Sequence, residues 1–284
     1  MSAKIIDGKT IAQQIKSDVA TKVASFKNQG LRAPCLAVIL VGDDPASQIY
    51  VSHKERACAK AGILSQTHRL ESTVPMKDLE ALISRLNHDD QIDGILLQLP
   101  LPRHLCPLTA ISLMAPEKDV DGLTPVNQGR LAWRKPLLVP CTPKGILELV
   151  MSTKVDIEGK LAGIVGRSVL VGNPAAQALS NAGATILVMN EKTIQIEKLA
   201  SQADILVVAT GVKGLVGPSW VKPGAIVIDV GIHRCKNGAL TGDVRFDEVK
   251  AVAGSITPVP GGVGPMTIAM LITNLLATYE SKLL

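Results

Sequence analysis

The stretch Leu161-Ala162-Gly163-Ile164-Val165-Gly166-Arg167-Ser168-Val169-Leu170-Val171-Gly172-Asn173-Pro174 decides the fold. An uninterrupted run, Leu161–Val165, reads as a buried strand, and the glycine that ends it leads through a short turn into a helix. The spacing is not G-x-G-x-x-G, because Ser168 stands at the second glycine and Gly172 comes late. By itself the turn suits a generic tight βα connection as well as a phosphate-cradling loop. Its surroundings sharpen the reading. The next strand ends at Met189-Asn190-Glu191-Lys192, roughly twenty residues on, where open α/β sheets contact the adenosine ribose.

Outward from this point the alternation continues. Strands are expected near 184–189, 204–209 and 225–230 with helices between them, an open α/β nucleotide-binding sheet. Toward the N-terminus, Ile11, Ile15, Val19, Val23 and Phe26 recur at helical spacing until Gly30. A strand over Cys35–Val41 ends at Gly42-Asp43-Asp44-Pro45. A helix over 46–61, a strand over 64–70, a helix over 76–88 and a strand over Gly94–Leu99 follow. Short apolar strands separated by helices indicate βαβ units and parallel pairing. Proline-rich loops occupy 100–107 and 136–143, and the second marks a domain boundary. We therefore expect a two-domain α/β protein. Residues 1–139, completed by an apolar C-terminal helix over 266–284, form the first domain, and 140–265 form a Rossmann-like second domain.

Composition narrows the function classes. The 284 residues are 46% hydrophobic and 19% charged, with only two each of Phe, Tyr and Trp. The core is thus aliphatic, and a Tyr near a proposed site stands out. The N-terminal residues carry charges too early for a secretory signal, and Met266–Ala277 is too short to span a bilayer. Five scattered cysteines without a C-x-x-C pair point to reduced thiols in a cytoplasmic protein, with no disulfide framework and no metal site. The net charge of +5 is spread without a basic run, which argues against nucleic acid and suits a small polyanion.

Two further groups carry chemistry. Thr257-Pro258-Val259-Pro260-Gly261-Gly262-Val263-Gly264-Pro265-Met266-Thr267 is a glycine-bared loop feeding a helix, so backbone atoms can touch a flat or anionic ligand. Tyr50 and Lys54 lie four apart on one helix face, a spacing that alone usually means surface decoration. Gln98, however, is the single amide closing an otherwise apolar strand, at the edge where open α/β sheets bind ligands. The helix of Lys54 begins at that same edge, and Asp121-Gly122 sets a carboxylate in a turn.

Tyr50-x-x-x-Lys54, Gln98-Leu99-Pro100-Leu101-Pro102, Lys118-Asp119-Val120-Asp121-Gly122, Pro140-Cys141-Thr142-Pro143, the G-R-S-x-x-V-G-x-P turn and Pro-Gly-Gly-Val-Gly-Pro-Met-Thr follow one another in register. In order and spacing this set resembles the bifunctional methylenetetrahydrofolate dehydrogenase/cyclohydrolases over essentially the whole chain. The resemblance implies oxidation of 5,10-methylenetetrahydrofolate and hydrolysis of the methenyl product to 10-formyltetrahydrofolate. It also implies a place in one-carbon metabolism, feeding purine, histidine and methionine synthesis, and a homodimer without metal, nucleic acid or membrane partner. Lys54 would then be the catalytic amine, acting in its neutral form. Gln98 would hold it, Tyr50 would stack on the folate, and Asp121 would pair with the pterin. Leu99, Pro260 and Gly261 would complete the substrate site. Gly166, Arg167 and Ser168 would lie along the cofactor, with Ile232 at the nicotinamide. Asn190-Glu191 departs from the basic and hydroxyl residues many members carry there. An acid favours NAD, but Arg167 and Lys192 offset it, so NADP is expected over NAD. A dehydrogenase that has lost the hydrolysis would keep the same fold, as would a silent folate-binding module. The set of Lys54, Gln98 and Asp121 argues against the silent module.

Overall fold

The computed structural model describes residues 2–283 and divides into two compact units. The chain opens with β1 (Lys4–Ile5), α1 (Gly8–Asn28), β2 (Cys35–Val41), α2 (Pro45–Lys60), β3 (Leu64–Leu70), α3 (Met76–His88) and β4 (Gly94–Leu97). Three helices follow: α4 (Pro107–Ser112), α5 (Pro125–Ala132) and α6 (Cys141–Ser152). Next come β5 (Leu161–Val165), α7 (Gly172–Asn181), β6 (Thr185–Met189), α8 (Ile196–Ala200), β7 (Ile205–Val208) and β8 (Ile226–Asp229). The chain closes with β9 (His233–Arg234), β10 (Leu240–Thr241), α9 (Phe246–Val249), β11 (Ser255–Ile256) and α10 (Val263–Ser281).

One unit comprises Gln13–Cys141 and the residues from Ile268 onward. Its parallel sheet has the order β3-β2-β4, with Cys35 opposite Leu64 and Ile39 opposite Leu97. The central strand β2 is Cys-Leu-Ala-Val-Ile-Leu-Val and is buried at every position, as a strand covered on both faces must be. Edge strand β3 carries Ser65, Gln66, His68 and Arg69 and stays largely open to water. Leu79, Leu82, Ile83 and Leu86 of α3 pack against Ile39 and Ile95 of the sheet. At Gly94 a Cβ would stand 2.2 Å from Val120 Cγ1 and 2.7 Å from Leu275 Cδ1, so only glycine lets both neighbours close on β4.

The other unit comprises the chain up to Ala12 and Thr142–Thr267. Its six parallel strands have the order β1-β11-β8-β7-β5-β6. The sequence expectation put residues 1–12 with the first domain. Instead β1 pairs with β11, Lys4 opposite Ser255 and Ile5 opposite Ile256, and extends the nucleotide-side sheet. A two-residue strand has no periodicity to read, and its partner lies some 250 positions away. The final helix also starts earlier than the expected residue 266. Val263, Gly264 and Pro265 form its first turn, where a proline has no N–H bond to lose.

Asp93 ties the first of these units together. Fully buried, it accepts from Arg32 Nη1 (2.6 Å) and Nη2 (2.7 Å), Lys282 Nζ (2.9 Å) and Cys35 N (2.8 Å). Burial pushes its carboxyl up, but the bonds from Arg32, Lys282 and Cys35 outweigh that and hold it below the ordinary value. Tyr279 Oη donates to Arg32 O at 2.6 Å, so the last turns of α10 are fastened at the same place. Asp93→Ala is expected to cost about 3–5 kcal/mol in urea unfolding, the scale for breaking a buried ion pair. Because the folded carboxyl is depressed, the wild-type contribution is present above the unfolded value near ~4 and is lost as pH falls through the folded one. A loss below ~1 kcal/mol at pH 7 would show that the cluster is ornamental.

Candidate active site

In the β2–β4 unit the site grows from two parallel strand ends. Asp44 caps α2, its Oδ2 accepting from Ser47 N at 2.7 Å, and Pro45 occupies the first helical position. The helix therefore starts beside the carboxyl end of β2 and carries Tyr50 and Lys54 on one face. Gln98 follows β4 directly, and its N–H still bonds Ile39 O at 2.9 Å. Its side chain is buried and its Nε2 donates to Leu99 O, which fixes the amide with oxygen outward. That oxygen accepts from Lys54 Nζ at 3.0 Å. Tyr50 is 43% exposed, its ring free to meet a planar ligand.

Asp121 arrives by a third segment. Asp119 bridges to Ile95 in parallel fashion, and Asp121 follows two residues on, in the direction of Gln98. Asp119 is buried. Its Oδ2 accepts from Thr124 N (2.7 Å) and Asn127 Nδ2 (2.9 Å), while burial pushes its carboxyl up. Gly122, with φ 70°, sits where a Cβ would come within 2.7 Å of Pro140 N. The turn is thus clamped on both sides. The Asp121 carboxylate is half-exposed and takes no hydrogen bond or ion pair among the described residues.

The six-stranded unit holds the remaining expected residues. Gly166 has φ 111°, and a Cβ there would stand 2.1 Å from Ala209 O; one on Gly172 would stand 2.0 Å from Gly166 O. These glycines press the turn after β5 onto the start of α7, the kind of strand-to-helix turn that can hold a pyrophosphate at a helix N-terminus. Ser168 Oγ accepts from Val171 N (3.2 Å) and Gly172 N (3.5 Å). Arg167 is exposed beside it. Val165 pairs with Met189, so Glu191 and Lys192, both exposed, extend from the neighbouring strand end. Asn190 Oδ1 accepts from Lys192 N at 2.9 Å and shapes that turn. A pocket is lined by Asp229–Ile232, Leu240 and Pro258–Pro265, so Pro260, Gly261 and Ile232 share one cavity. The first turn of α1 is pressed on this loop: Lys9 N donates to Gly261 O at 2.9 Å, and a Cβ on Gly8 would stand 2.0 Å from Gly262 O.

Residues 6–121 match the catalytic domain of tetrahydrofolate dehydrogenase/cyclohydrolase, and residues 140–283 match its NAD(P)-binding domain. The chain belongs to the tetrahydrofolate dehydrogenase/cyclohydrolase family. It is 45% identical to the bifunctional methylenetetrahydrofolate dehydrogenase/cyclohydrolase of Campylobacter jejuni, with a TM-score of 0.97 over 99% of this chain and 100% of that one. It is 41% identical to a 5,10-methylenetetrahydrofolate dehydrogenase of the silkworm Bombyx mori (TM-score 0.92, 99% of both chains). The dehydrogenase-cyclohydrolase of Trypanosoma brucei, solved with NADP and an inhibitor, is 38% identical (TM-score 0.95, 100% of this chain and 99% of that one).

Within this family member, several polar residues escaped the sequence reading. Ser47, three before Tyr50 on the same helix face, is buried, and its hydroxyl has no partner among the described residues. Its spacing of seven from Lys54 was a readable signal. Asp229 closes an apolar strand just as Gln98 follows one, which was a readable signal too. Asp243, His233 and Thr210 gave none, because their contacts join separate loops.

Burial, with the charge of Asp243 adding to it, pushes the Asp229 carboxyl up to about 6 against the pull of three backbone N–H bonds. A raised carboxyl contributes stability that is present below the unfolded value near ~4 and lost as pH rises through about 6. The Asp229 side-chain carbon resonance should therefore titrate with a midpoint near 6 in the folded protein. A midpoint in the ordinary range, below ~4.5, would contradict this environment.

Proposed function

We propose that this protein oxidises 5,10-methylenetetrahydrofolate with NADP and then hydrolyses the methenyl product to 10-formyltetrahydrofolate at Lys54. The observation that carries the reading is the Lys54 Nζ–Gln98 Oε1 bond at 3.0 Å, set at a parallel-strand edge. It stands in a family whose members are named for both activities.

Gly166, Arg167 and Ser168 would hold the NADP, which would supply a nicotinamide able to take the hydride of the methylene carbon between the two folate nitrogens. The protein contributes position to that step: Tyr50 stacks on the ring system, and Asp121 accepts the N–H groups of the amino-pyrimidinone edge. The product is a methenyl cation, which an ammonium would oppose. A neutral Lys54 amine instead takes a proton from water as its oxygen bonds the cationic carbon. Lys54 then returns that proton to the ring nitrogen as the carbon–nitrogen bond breaks, and the remaining hydroxyl proton passes to solvent as the formyl C=O forms. Gln98 accepts from the amine and steers its lone pair toward that water. Leu99, Pro260 and Gly261 are assigned to the folate, and Ile232 to the nicotinamide face. A homodimer and a cytoplasmic location complete the reading, supported by the family resemblance and, for the location, by five scattered cysteines without a C-x-x-C pair.

Lys54→Met keeps the length and removes the amine. Hydrolysis of added methenyltetrahydrofolate should fall by roughly 10²-fold or more, with oxidation less affected and the melting temperature unchanged. Hydrolysis at the wild-type rate would remove Lys54 from its role. For the cofactor, kcat/KM should favour NADP over NAD, since Arg167 and Lys192 offset Glu191 near the 2′-phosphate. Glu191→Ser should widen that preference; equal use of both cofactors by the wild type would overturn it.

A further inference from the structure

Two buried carboxylates of the six-stranded unit lie outside every motif used above. Asp229 ends β8 and Asp243 follows β10. Asp229 Oδ1 accepts from Gly231 N and Asp243 N, and its Oδ2 accepts from Val244 N, each at 3.0 Å. Asp243 Oδ2 accepts from Thr210 N (2.7 Å), Gly211 N (2.9 Å) and Thr210 Oγ1 (2.8 Å). Its Oδ1 meets His233 Nε2 at 2.7 Å. Asp243 thereby ties the loop after β7 to β9, and Asp229 ties the segment after β8 to the one after β10.

The fit leaves no slack. A Cβ on Gly231 would stand 2.1 Å from Asp243 Oδ1, and one on Gly242 would stand 1.8 Å from Asp229 Oδ2. The path of Val230–Ile232 is therefore set by the carboxylates beneath it. Ile232 emerges from that path 46% exposed and lines the pocket with Pro258–Pro265. Its Cδ1 is 3.7 Å from where a Cβ on Gly264 would stand. Two acids buried side by side repel each other and are desolvated, a costly way merely to close a loop. Seven hydrogen bonds converging on a wall of the cavity make sense where that wall must not move.

We propose that Asp243, held by His233, is a positioning residue for the hydride-transfer step, fixing the Val230–Ile232 segment against which the nicotinamide rests. This assignment rests on the dinucleotide reading of the six-stranded unit. Neither side chain need touch the reacting atoms; a displaced wall lets the ring tilt, and misplacement of about 1 Å can cost ~10²-fold in rate.

The test compares Asp243→Ala, Asp243→Asn, His233→Ala and His233→Gln in the full chain. Oxidation of methylenetetrahydrofolate, hydrolysis of added methenyltetrahydrofolate without NADP, and the melting temperature are measured for each. The expected result is a fall of about tenfold or more in the oxidation kcat for Asp243→Ala. KM for the folate and the hydrolysis rate should change by less than about twofold. His233→Ala, which removes a single bond at the rim of the cluster, should fall severalfold, and it carries the test if Asp243→Ala does not fold. Asp243→Asn and His233→Gln keep hydrogen-bonding groups in place and should recover most of the rate. Wild-type oxidation by His233→Ala would overturn the proposal. So would a parallel loss of both activities with a lowered melting temperature, the mark of a purely structural role. A wild-type protein that reduces no NADP would instead overturn the functional reading on which the proposal rests.

Discussion

Parallel strands impose a constraint on which the candidate residues of each unit depend. A strand joined to a parallel neighbour must be reached by a crossover, so all carboxyl ends in the sheet face one edge and the connecting loops gather there. In the β3-β2-β4 sheet that edge receives the start of α2 from one strand and Gln98 from another. The bond between Lys54 and Gln98 joins residues 44 positions apart because the strands that lead to them, β2 and β4, are in register, Ile39 opposite Leu97. The six-stranded sheet uses the same rule for the turn after β5, the Asn190–Lys192 turn after β6 and the Val230–Ile232 segment after β8. Slipping one strand by a single residue would reverse its inward and outward faces and scatter the site.

Within that frame, glycines decide how closely the segments approach and carboxylates decide how firmly they are held. Gly94, Gly166, Gly172 and Gly231 each stand where a methyl group would collide with a neighbour. Asp93, Asp119, Asp229 and Asp243 are each buried; Asp119 holds the start of α5, and the other three accept from groups that come from different segments. Burial raises Asp119 and Asp229, whereas the two cations at Asp93 keep that carboxyl low. The same residue type thus serves as a loop tie in one place and an ion-pair hub in another, according to whether a cation faces it.

The sequence made some of this legible. The strand over Cys35–Val41, the strand over Leu161–Val165 and the helix over 76–88 are continuous stretches whose apolar patterns are local. Residues standing at the ends of such stretches, Gln98 above all, could be singled out because a lone polar group there breaks the pattern. β1 was illegible: two exposed residues acquire meaning only when Ser255–Ile256 lies beside them. Asp243 was equally hidden, since its partners Thr210, Gly211 and His233 belong to other segments and nothing in its own neighbourhood announces burial. The start of α10 was misjudged for a different reason. Prolines and glycines mark a loop by composition, yet a helix tolerates them in its first turn, where N–H partners are missing anyway.

The central claim is that one chain carries methylenetetrahydrofolate through both oxidation and hydrolysis. Mixing the purified protein with methylenetetrahydrofolate and NADP, and following reduced cofactor, methenyltetrahydrofolate and 10-formyltetrahydrofolate together, tests it most directly. The account predicts that reduced cofactor and 10-formyltetrahydrofolate rise in equal amounts, with the methenyl species only transient. Reduced cofactor matched one for one by methenyltetrahydrofolate that decays at its rate in buffer alone would contradict the account, as would no reduction at all.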